Sequence, residues 1–319
     1  MGIDIGYGSM KVVDGEIAIG RREMVLPVGA APATHLGVRV GAKAYDVVRV
    51  LVNGTEYVAT VQPERLGRWK RVVHADYPSS DSYRALYYAA LSLAGRETID
   101  RVVTGLPTSQ WLVAEIRNRL QEMMIGVHEI RDGVLVEVKD VIVVPQPVGG
   151  FVDYSTNNES AHQMRILVVD PGFYSTDWIL IQDVEIDVSS SGTSTLGMSF
   201  ALEGVAKEIA AEYGIDIGRE RLEHALRIGS STVRAGQHQV EHYPYMARAA
   251  QCIAEQVAVE IQSSLRAMTV SPDIVLVVGG GARWYADHLS TVFGGIDVVT
   301  PPNTVLANAR GFWDLGKEA

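Results

Sequence analysis

The sequence has a single cysteine, Cys252, among its 319 residues. One cysteine excludes an intramolecular disulfide and a cysteine metal cluster, and it is typical of a reducing compartment. Cys252 lies in a segment with a helical pattern, where we expect a buried, inert thiol rather than a nucleophile.

Long apolar runs are also missing, because no uninterrupted stretch reaches the length that a membrane-spanning helix requires. The N-terminus has no charged region followed by an apolar one, and Gly6 stands where a myristoylation motif needs serine or threonine. We therefore expect a cytoplasmic protein without a membrane partner.

Basic residues are outnumbered, since 28 Lys and Arg face 38 Asp and Glu and give a formal net charge of -10. A chain with this balance is poorly suited to bind nucleic acid or an anionic membrane surface directly. The length of 319 residues exceeds that of a typical single domain, so we expect two domains.

Two common nucleotide-binding motifs are absent as well. No Gly-x-x-x-x-Gly-Lys-Ser/Thr segment occurs, which excludes a P-loop NTPase. The segment Gly6-x-Gly8-x-x-Lys11 lacks the third glycine of a dinucleotide fingerprint and precedes a strand instead of a helix. A hydride-transfer enzyme is therefore disfavoured.

What the chain does contain is two strand–turn–strand units with a carboxylate at the tip. The first covers residues 1–13 and carries Asp4, and the second covers residues 165–181 and carries Asp170. A carboxylate that leaves an apolar strand is poorly solvated unless a cation lies over it. The glycines that follow, such as Gly172, can take a positive φ and let a ligand approach bare backbone. The repetition predicts two related domains that present these loops to one ligand, for which a metal-bound phosphate is the natural candidate.

A third glycine loop follows a predicted strand at 274–278, which runs into Gly279-Gly280-Gly281 before a predicted helix at 284–292. Backbone donors and the positive end of a helix then lie together, which suits phosphate or ribose. The small-residue stretch 189–197 is expected to be a loop that bends toward a ligand.

Hydrophobic periodicity predicts alternating strands and helices along both halves. The predicted helices are 82–94, with Asp81 as N-cap and Gly95 as stop, and then 109–124, 202–213, 219–227, 245–265, 284–292 and the closing segment 304–316. The predicted strands outside the two hairpins are 16–19, 24–27, 55–61, 99–104, 134–144, 184–188 and 274–278.

These elements indicate an α/β fold of two domains that cross at Gly149-Gly150. The first domain covers residues 1–150, contains a small insertion at about 28–80 and is completed by residues 303–319; the second covers 151–302. The segment His238-Gln-Val-Glu-His242 fits a zinc-protease pattern, but Gly236 and Pro244 disfavour the helix that such a site needs. We interpret the two histidines as solvent-exposed.

The glycine loops resemble those of the actin superfamily. The segment from Asp4 to Lys11 resembles the first phosphate loop, and Asp170-Pro-Gly172 with Thr176-Asp177 is similar to the second. Residues 278–282 resemble the adenosine loop. Residues 145–151 and 307–311 resemble the two connecting segments, and all five motifs occur in family order.

Within that superfamily, residues 104–110 and the helix that starts near Asp81 are most similar to the bacterial and archaeal plasmid-segregation actins of the ParM/StbA group. The resemblance covers nearly the whole chain. It implies an actin-like ATPase fold, in which two ribonuclease-H-like domains with mixed sheets flank a cleft that holds ATP or ADP and a divalent ion.

The resemblance also implies roles for individual residues. Asp4 and Asp170 would hold the coordinated waters of Mg²⁺, and Lys11 would reach the β- and γ-phosphates. Gln146 would orient the attacking water in a slow hydrolysis to which Asp170 also contributes. The remaining nucleotide contacts would come from Gly6, Tyr7, Gly8, Ser9, Met10, Gly172, Phe173, Tyr174, Gly279, Gly280, Gly281 and Ala282.

Some positions depart from the family pattern or stay open. Tyr7, Pro171 and Phe173 stand where the family usually has smaller residues, and they bear on the γ-phosphate contacts. Glu203 and Lys207 are candidates for the adenine pocket by position, although a solvated helix face explains them equally well.

By resemblance, the chain is expected to self-associate into filaments that form with ATP and disassemble after hydrolysis. Plasmid or DNA segregation through a separate DNA-bound adaptor protein is the expected role. Sugar and acetate kinases, exopolyphosphatases and DnaK-type chaperones share the two hairpins, but a kinase needs a carboxylate base that the sequence does not reveal. A non-filamentous ATPase or kinase of this fold, and a scaffold that holds ATP without hydrolysis, stay open as alternatives.

Overall fold

The computed structural model describes residues 1–16, 19–37, 47–67 and 76–317. The chain forms two compact units, Met1–Glu159 with Val305–Ala319 and Ser160–Thr304. The sequence-based boundaries at 150/151 and 302/303 differ from these divisions. The predicted crossing at Gly149-Gly150 lies inside a helix of the first unit, Gln146–Ser155.

Strands and helices alternate along the described residues. The strands are β1 Gly2–Ile5, β2 Ser9–Glu16, β3 Gly20–Pro27, β4 Gly29–Pro32, β5 Val48–Val52, β6 Thr55–Val61, β7 Thr98–Ile99, β8 Val102–Leu106, β9 Gly126–Arg131, β10 Val134–Val138, β11 Val141–Pro145, β12 Ile166–Pro171, β13 Thr176–Gln182, β14 Glu185–Ser194, β15 Thr232–Ala235, β16 His238–Glu241, β17 Ile274–Val277 and β18 Asp297–Val299. The α-helices are α1 Asp81–Ala94, α2 Thr108–Trp111, α3 Ala114–Met124, α4 Gln146–Ser155, α5 Met198–Tyr213, α6 Gly218–Arg227, α7 Tyr243–Ala267, α8 Ala282–Val292 and α9 Ala307–Leu315. Short 3₁₀ helices occur at Ala33–His35, Pro63–Arg65, Tyr77–Ser79, Glu159–Gln163 and Thr304–Leu306.

The main sheet of the first unit has the order β11-β8-β1-β2-β3. Strands β1, β2 and β3 form an antiparallel meander, whereas β8 and β11 run parallel to β1. This mixed sheet confirms the predicted α/β class. Parallel strands end at the same edge, so the ends of β1, β8 and β11 bring their following loops together.

Two predicted strands, 99–104 and 134–144, are each divided between two sheets. β7 and β10 belong to the sheet β7-β10-β9, and β8 and β11 belong to the main sheet. The breaks fall at charged residues that pair with each other, Lys139 with Asp100 at 2.8 Å and Arg101 with Asp140 at 2.5 Å. Paired charges stay near solvent while the apolar residues on either side enter different sheets.

The segment predicted as an insertion at 28–80 contains a small sheet of order β4-β6-β5 among its described residues. The predicted strand 55–61 is confirmed as β6. The predicted strand 16–19 is wrong at its end, because β2 stops at Glu16 and Ile19 lies in a turn; residues 17–18 lie outside the described residues. The predicted strand 24–27 is the second half of β3.

Helix α1 confirms the predicted helix but not its cap. Ser80 is the N-cap, and its hydroxyl accepts from the Tyr83 amide at 3.2 Å. Asp81 instead accepts from the side chain of Asn53 at 2.9 Å. Gly95 ends the helix in the left-handed region, as predicted. The predicted helix 109–124 is interrupted, since Val113 has extended backbone between α2 and α3.

The second unit is built on the sheet β14-β13-β12-β17-β18. Helices α5, α7 and α8 pack their apolar faces against it in one core, which includes Leu202, Val257 and Leu289. The helices predicted at 202–213, 219–227, 245–265 and 284–292 are confirmed as α5, α6, α7 and α8. Within the described ranges, no helix is both long and apolar enough to cross a membrane.

The predicted loop 189–197 is wrong over most of its length, because residues 189–194 continue β14. Its serines bond to Asp187, with Ser190 Oγ and Ser191 Oγ each 2.6 Å from an oxygen of that residue. The ring of Trp178 lies where a Cβ at position 192 would stand, so glycine is required there. Small residues in this stretch therefore accommodate a bulge and the ring of Trp178.

Two expectations about exposure are also wrong. His238 is exposed on β16, but His242 is fully buried, with Nε2 2.7 Å from the carbonyl oxygen of Ser230. Cys252 is exposed, because it lies off the stripe of α7 that includes the buried Ile253 and Val257. Residues His238–Glu241 form strand β16, so they do not form the helix that a zinc-protease site needs.

His128 on β9 is a buried histidine in contact with α1. Its Nε2 lies 2.8 Å from the carbonyl oxygen of Met124, which also accepts from the Tyr87 hydroxyl at 2.6 Å. Burial lowers the pKa of His128 below its usual value of 6.5. The neutral ring is therefore favoured in the folded protein.

We expect this histidine to make folding stability depend on pH. The stability that follows from its lowered pKa is present above about pH 6.5 and is lost as the pH falls, because the unfolded chain then binds the proton more readily. Urea unfolding midpoints measured between pH 7.5 and 5 should decline less steeply in His128→Leu than in the unaltered protein. His238→Leu, at an exposed position, is the control. Equal slopes for His128→Leu and the unaltered protein would contradict this account.

Candidate functional site

The first cluster of candidate residues lies in the first unit, at the β1–β2 hairpin. Asp4 and Lys11 face each other in the strand register, and Lys11 Nζ lies 3.0 Å from Asp4 Oδ2. The Asp4 carboxylate is buried, with 4% of its side chain exposed. The cation that the sequence requires over this carboxylate is thus provided by the chain itself.

Gln146 contacts the same carboxylate from another element. It is the first residue of α4 and directly follows β11, whose end lies beside the ends of β8 and β1. Its Nε2 donates to Asp4 Oδ1 at 3.2 Å. Both oxygens of Asp4 therefore accept a bond from a side chain, Lys11 on one and Gln146 on the other.

The loop between β1 and β2 is compact. The Gly6 amide donates to the Ser9 carbonyl at 3.2 Å, and a Cβ at Gly6 would stand 3.5 Å from Lys11 Nζ. Gly6 does not have a positive φ, but a Cβ there would make a tight contact of 3.3 Å with the Ser9 carbonyl oxygen. The Tyr7 ring stacks on Tyr77 with 4.7 Å between centroids. The side chain of Tyr7 is thus held by packing within the first unit.

The second cluster of candidate residues lies in the second unit, at the β12–β13 hairpin. Asp170 is buried at the end of β12, and the Gly172 amide closes the turn by donating to the Ser175 carbonyl at 2.8 Å. Gly172 does not take a positive φ, contrary to expectation; a Cβ there would stand 2.9 Å from the Ser175 carbonyl oxygen. Glycine is required at this position because the Ser175 carbonyl oxygen lies too close for a side chain, and not because the backbone is left-handed.

The predicted third glycine loop lies directly against Asp170. Gly279 has φ +81°, and a Cβ there would overlap the Asp170 carboxylate. The Gly281 amide donates to the Pro171 carbonyl at 2.9 Å, and Ala282 begins α8. The structure therefore brings the second hairpin and the glycine turn, with Gly280 between its ends, into one cluster at a helix N-terminus.

The turn after Asp170 is also fixed by α5. The amides of Met198 and Ser199 donate to the carbonyls of Gly172 and Phe173 at 3.0 and 2.7 Å. These bonds satisfy two donors of the first helical turn. The backbone of residues 172–174, which includes Tyr174, is thereby anchored to the start of α5.

The adenine candidates lie elsewhere on α5. Glu203 and Lys207 are exposed, and Glu203 forms a long ion pair with Arg219 at 3.7 Å. These contacts are those of a solvated helix face.

Sequence patterns alone assigned no role to two residues that the structure places in these clusters, Asp177 and Gly105. Asp177 is buried opposite Asp170 in the register and accepts from Ser175 Oγ at 2.8 Å and Thr193 Oγ1 at 2.5 Å. Gly105 leaves room for the Gln146 side chain, because a Cβ at position 105 would stand 2.9 Å from Gln146 Cγ. Each lies within a motif quoted from the sequence, but the partner that explains it is distant in the chain.

The donor chemistry fits a hard divalent cation bound through water. Asp4 and Asp170 are buried carboxylates, one in each unit, and the described residues contain no group of three or more His, Cys, Asp or Glu side chains placed to hold a metal. One or two carboxylates without a protein cage are what Mg²⁺ uses when it keeps most of its waters. Each Asp4 oxygen can still accept a bond from such a water, because a carboxylate oxygen has two acceptor sites.

Comparisons with known proteins agree with this architecture. Residues 2–149 match the family model described as actin-like proteins, N-terminal domain, and residues 168–291 match that of the archaeal actin homologue MreB-like C-terminal domain. No protein of curated function matches the sequence significantly.

Solved structures share the fold over the whole chain. An archaeal actin homologue superposes with a TM-score of 0.77 at 20% identity, covering 100% of this chain and 99% of that one. A ParM from a 15-stranded filament of Clostridium botulinum gives a TM-score of 0.74 at 18% identity, covering 100% and 98%. Bacillus thuringiensis ParM with ATP gives 0.63 at 14% identity, covering 98% and 96%.

The predicted actin-like fold of two domains is confirmed. Each matched domain contains one of the two aspartate hairpins. The chain therefore belongs to the actin superfamily.

Proposed function

We propose that the protein binds ATP and ADP with Mg²⁺, hydrolyses ATP slowly, and assembles into filaments that depend on the bound nucleotide. The observation that supports this best is the buried Asp4 carboxylate held between Lys11 and Gln146. These three groups lie at the ends of adjacent elements. The ammonium group suits a phosphate, the carboxylate suits a hydrated metal ion, and the amide suits the placement of a water.

In this proposal, the loop at 6–11 and the turn at 172–174 bind the phosphates of one nucleotide. Lys11 acts as a point charge on the β- and γ-phosphates, and the glycine turn at 279–281 lies at the ribose and base side. Asp4 and Asp170 would hold Mg²⁺ through its coordinated waters, and the ion would supply positive charge beside the transferring phosphoryl group.

Gln146 positions the attacking water. Its Nε2 is engaged by Asp4, which leaves Oε1 as the end of the amide that accepts from a water. Phosphoryl transfer depends mainly on placement and charge neutralisation, so an uncharged side chain is sufficient for a slow reaction.

Structures of similar fold support the nucleotide and filament parts of the proposal. The archaeal actin homologue was solved in complex with ADP, and the Bacillus thuringiensis ParM with ATP and with AMPPNP. The Clostridium botulinum ParM was solved as a filament. We extend these properties to the present chain because the loops that would carry them are present in its sequence.

We further propose that the filaments move or space replicated plasmid DNA in the cytoplasm through an adaptor protein bound to the DNA. The net charge of -10 disfavours direct contact between this chain and nucleic acid. The alternative is a non-filamentous ATPase or small-molecule kinase of the same fold.

Sedimentation separates filament formation from the alternative. We expect the protein to pellet with ATP and Mg²⁺ and to stay in the supernatant without nucleotide. Phosphate release should accompany the loss of pelletable material over time. Phosphate release without any sedimenting species would contradict the filament proposal and support the alternative.

Asp170→Asn tests the assignment of the second hairpin. The change keeps the volume against Gly279 but removes the charge that orients the ion's waters, so we expect hydrolysis to fall about 10- to 100-fold. Nucleotide affinity, measured with a fluorescent ATP analogue, should stay measurable. Asp183→Asn, in the exposed turn after β13, is the matched control. Unchanged turnover in Asp170→Asn would show that this carboxylate has no part in the reaction.

Gln146→Ala tests the placement of water. Without the amide we expect hydrolysis about 10- to 100-fold slower, because misplacement of the attacking group has costs of this size. Pelleting with ATP should persist, and for longer than in the unaltered protein. An unchanged rate of phosphate release would mean that another group positions the water.

A further inference from the structure

Helix α9 packs directly behind the Asp4–Gln146 pair. It meets three elements of the first unit, each at a glycine: β1 at Gly2, β8 at Gly105 and α4 at Gly149. A Cβ at Gly2 would overlap the Ala309 carbonyl, and one at Gly149 would overlap the Asn308 backbone. At Gly105, a Cβ would stand 2.6 Å from Phe312 Cζ.

These contacts lie next to the residues of the candidate site. Gly2 is in the strand that carries Asp4, and Gly149 is in the first turn of the helix that begins with Gln146. Gly105 lies between Phe312 of α9 and Gln146 of α4, because a Cβ at position 105 would be too close to both, with 2.9 Å to Gln146 Cγ. The backbone of α4 in turn leaves no room for a side chain at Gly311 of α9, where a Cβ would overlap the Gly149 carbonyl.

A buried ion pair fixes α4 against α9 at a second point. Arg310 Nε donates to Asp153 Oδ1 and Arg310 Nη2 to Asp153 Oδ2, each at 2.8 Å, and the two side chains are 11% and 8% exposed. Asp153 lies seven residues after Gln146 and hence on the same face of α4. A two-bond contact restrains rotation of the helix as well as its distance from α9.

We propose that α9 positions Gln146 on Asp4, with Arg310 as the positioning residue. This inference rests on the proposed hydrolysis. It identifies α9 as the element that holds the Gln146 amide against Asp4, where the amide would position the attacking water. The 3.2 Å bond from Gln146 to Asp4 is at the long end of the hydrogen-bond range, so a small rotation or shift of α4 breaks it.

A double-mutant cycle tests the inference. Arg310→Lys keeps the charge but loses the forked contact with Asp153. We expect kcat for ATP hydrolysis to fall about tenfold, while the affinity for a fluorescent ATP analogue changes less than about twofold. In a Gln146→Ala background, Arg310→Lys should cause no further loss, because Arg310 acts through Gln146.

Asp153→Asn is the second variant, since it keeps the shape of the pair and removes its charge. It should give the same pattern, with cooperative thermal unfolding retained. Asp100→Asn, which breaks the exposed ion pair with Lys139 on the same unit, is the control and should leave kcat unchanged.

Equal losses from Arg310→Lys in both backgrounds would overturn the positioning role, because a general weakening of the fold does not depend on Gln146. No loss in the unaltered background would overturn it as well. If the unaltered protein hydrolyses ATP and Gln146→Ala slows it, these outcomes leave the proposed function intact. Absence of hydrolysis in the unaltered protein would remove both proposals together.

Discussion

The candidate site depends on how one buried carboxylate is satisfied. Asp4 ends an apolar strand with almost no contact with water, and an uncompensated charge in that position would be strongly destabilising. Lys11 is placed by the hairpin register and Gln146 by the start of α4. The local fold of the first unit therefore brings a cation, an acid and an amide together, which compensates the buried charge. The proposed function uses the same three groups for a metal-bound phosphate.

Close backbone packing around this carboxylate explains several glycines that local sequence rules do not. Gly2, Gly105 and Gly149 have no need of a positive φ, and each is required because α9 approaches where a Cβ would lie. In the second unit, Gly279 combines both reasons, since it has a positive φ and faces Asp170. The small residues near the candidate site are thus determined mainly by contacts that are distant in sequence.

The parts that could be predicted from the sequence were those set by short-range patterns. Each aspartate hairpin is contiguous, and its alternation of strand, glycine and strand identifies both the turn and the carboxylate. The glycine turn at 279–281 and the helices of the second unit follow from similarly local signals. The actin-like resemblance added the order of the motifs and, through it, the prediction of two actin-like domains.

The remaining features depend on tertiary contacts. The predicted strand 99–104 gives no sign that β7 and β8 join different sheets, because the partners of its charged residues, Lys139 and Asp140, lie on a distant segment. The serines of β14 resemble a loop until Trp178 and Asp187 are known to pack there. Likewise, the burial of His242 depends on the Ser230 carbonyl and the contact between Gln146 and Asp4 joins residues 142 positions apart.

The most direct test of the central claim is a crystal structure with Mg²⁺ and a non-hydrolysable ATP analogue. The account predicts phosphate oxygens within hydrogen-bond distance of Lys11 Nζ, of the backbone at 6–10 and of the backbone at 172–174. It also predicts ordered waters between the ion and the carboxylates of Asp4 and Asp170. A triphosphate bound elsewhere, with the Asp4, Lys11 and Gln146 side chains untouched by ligand or ion, would contradict it.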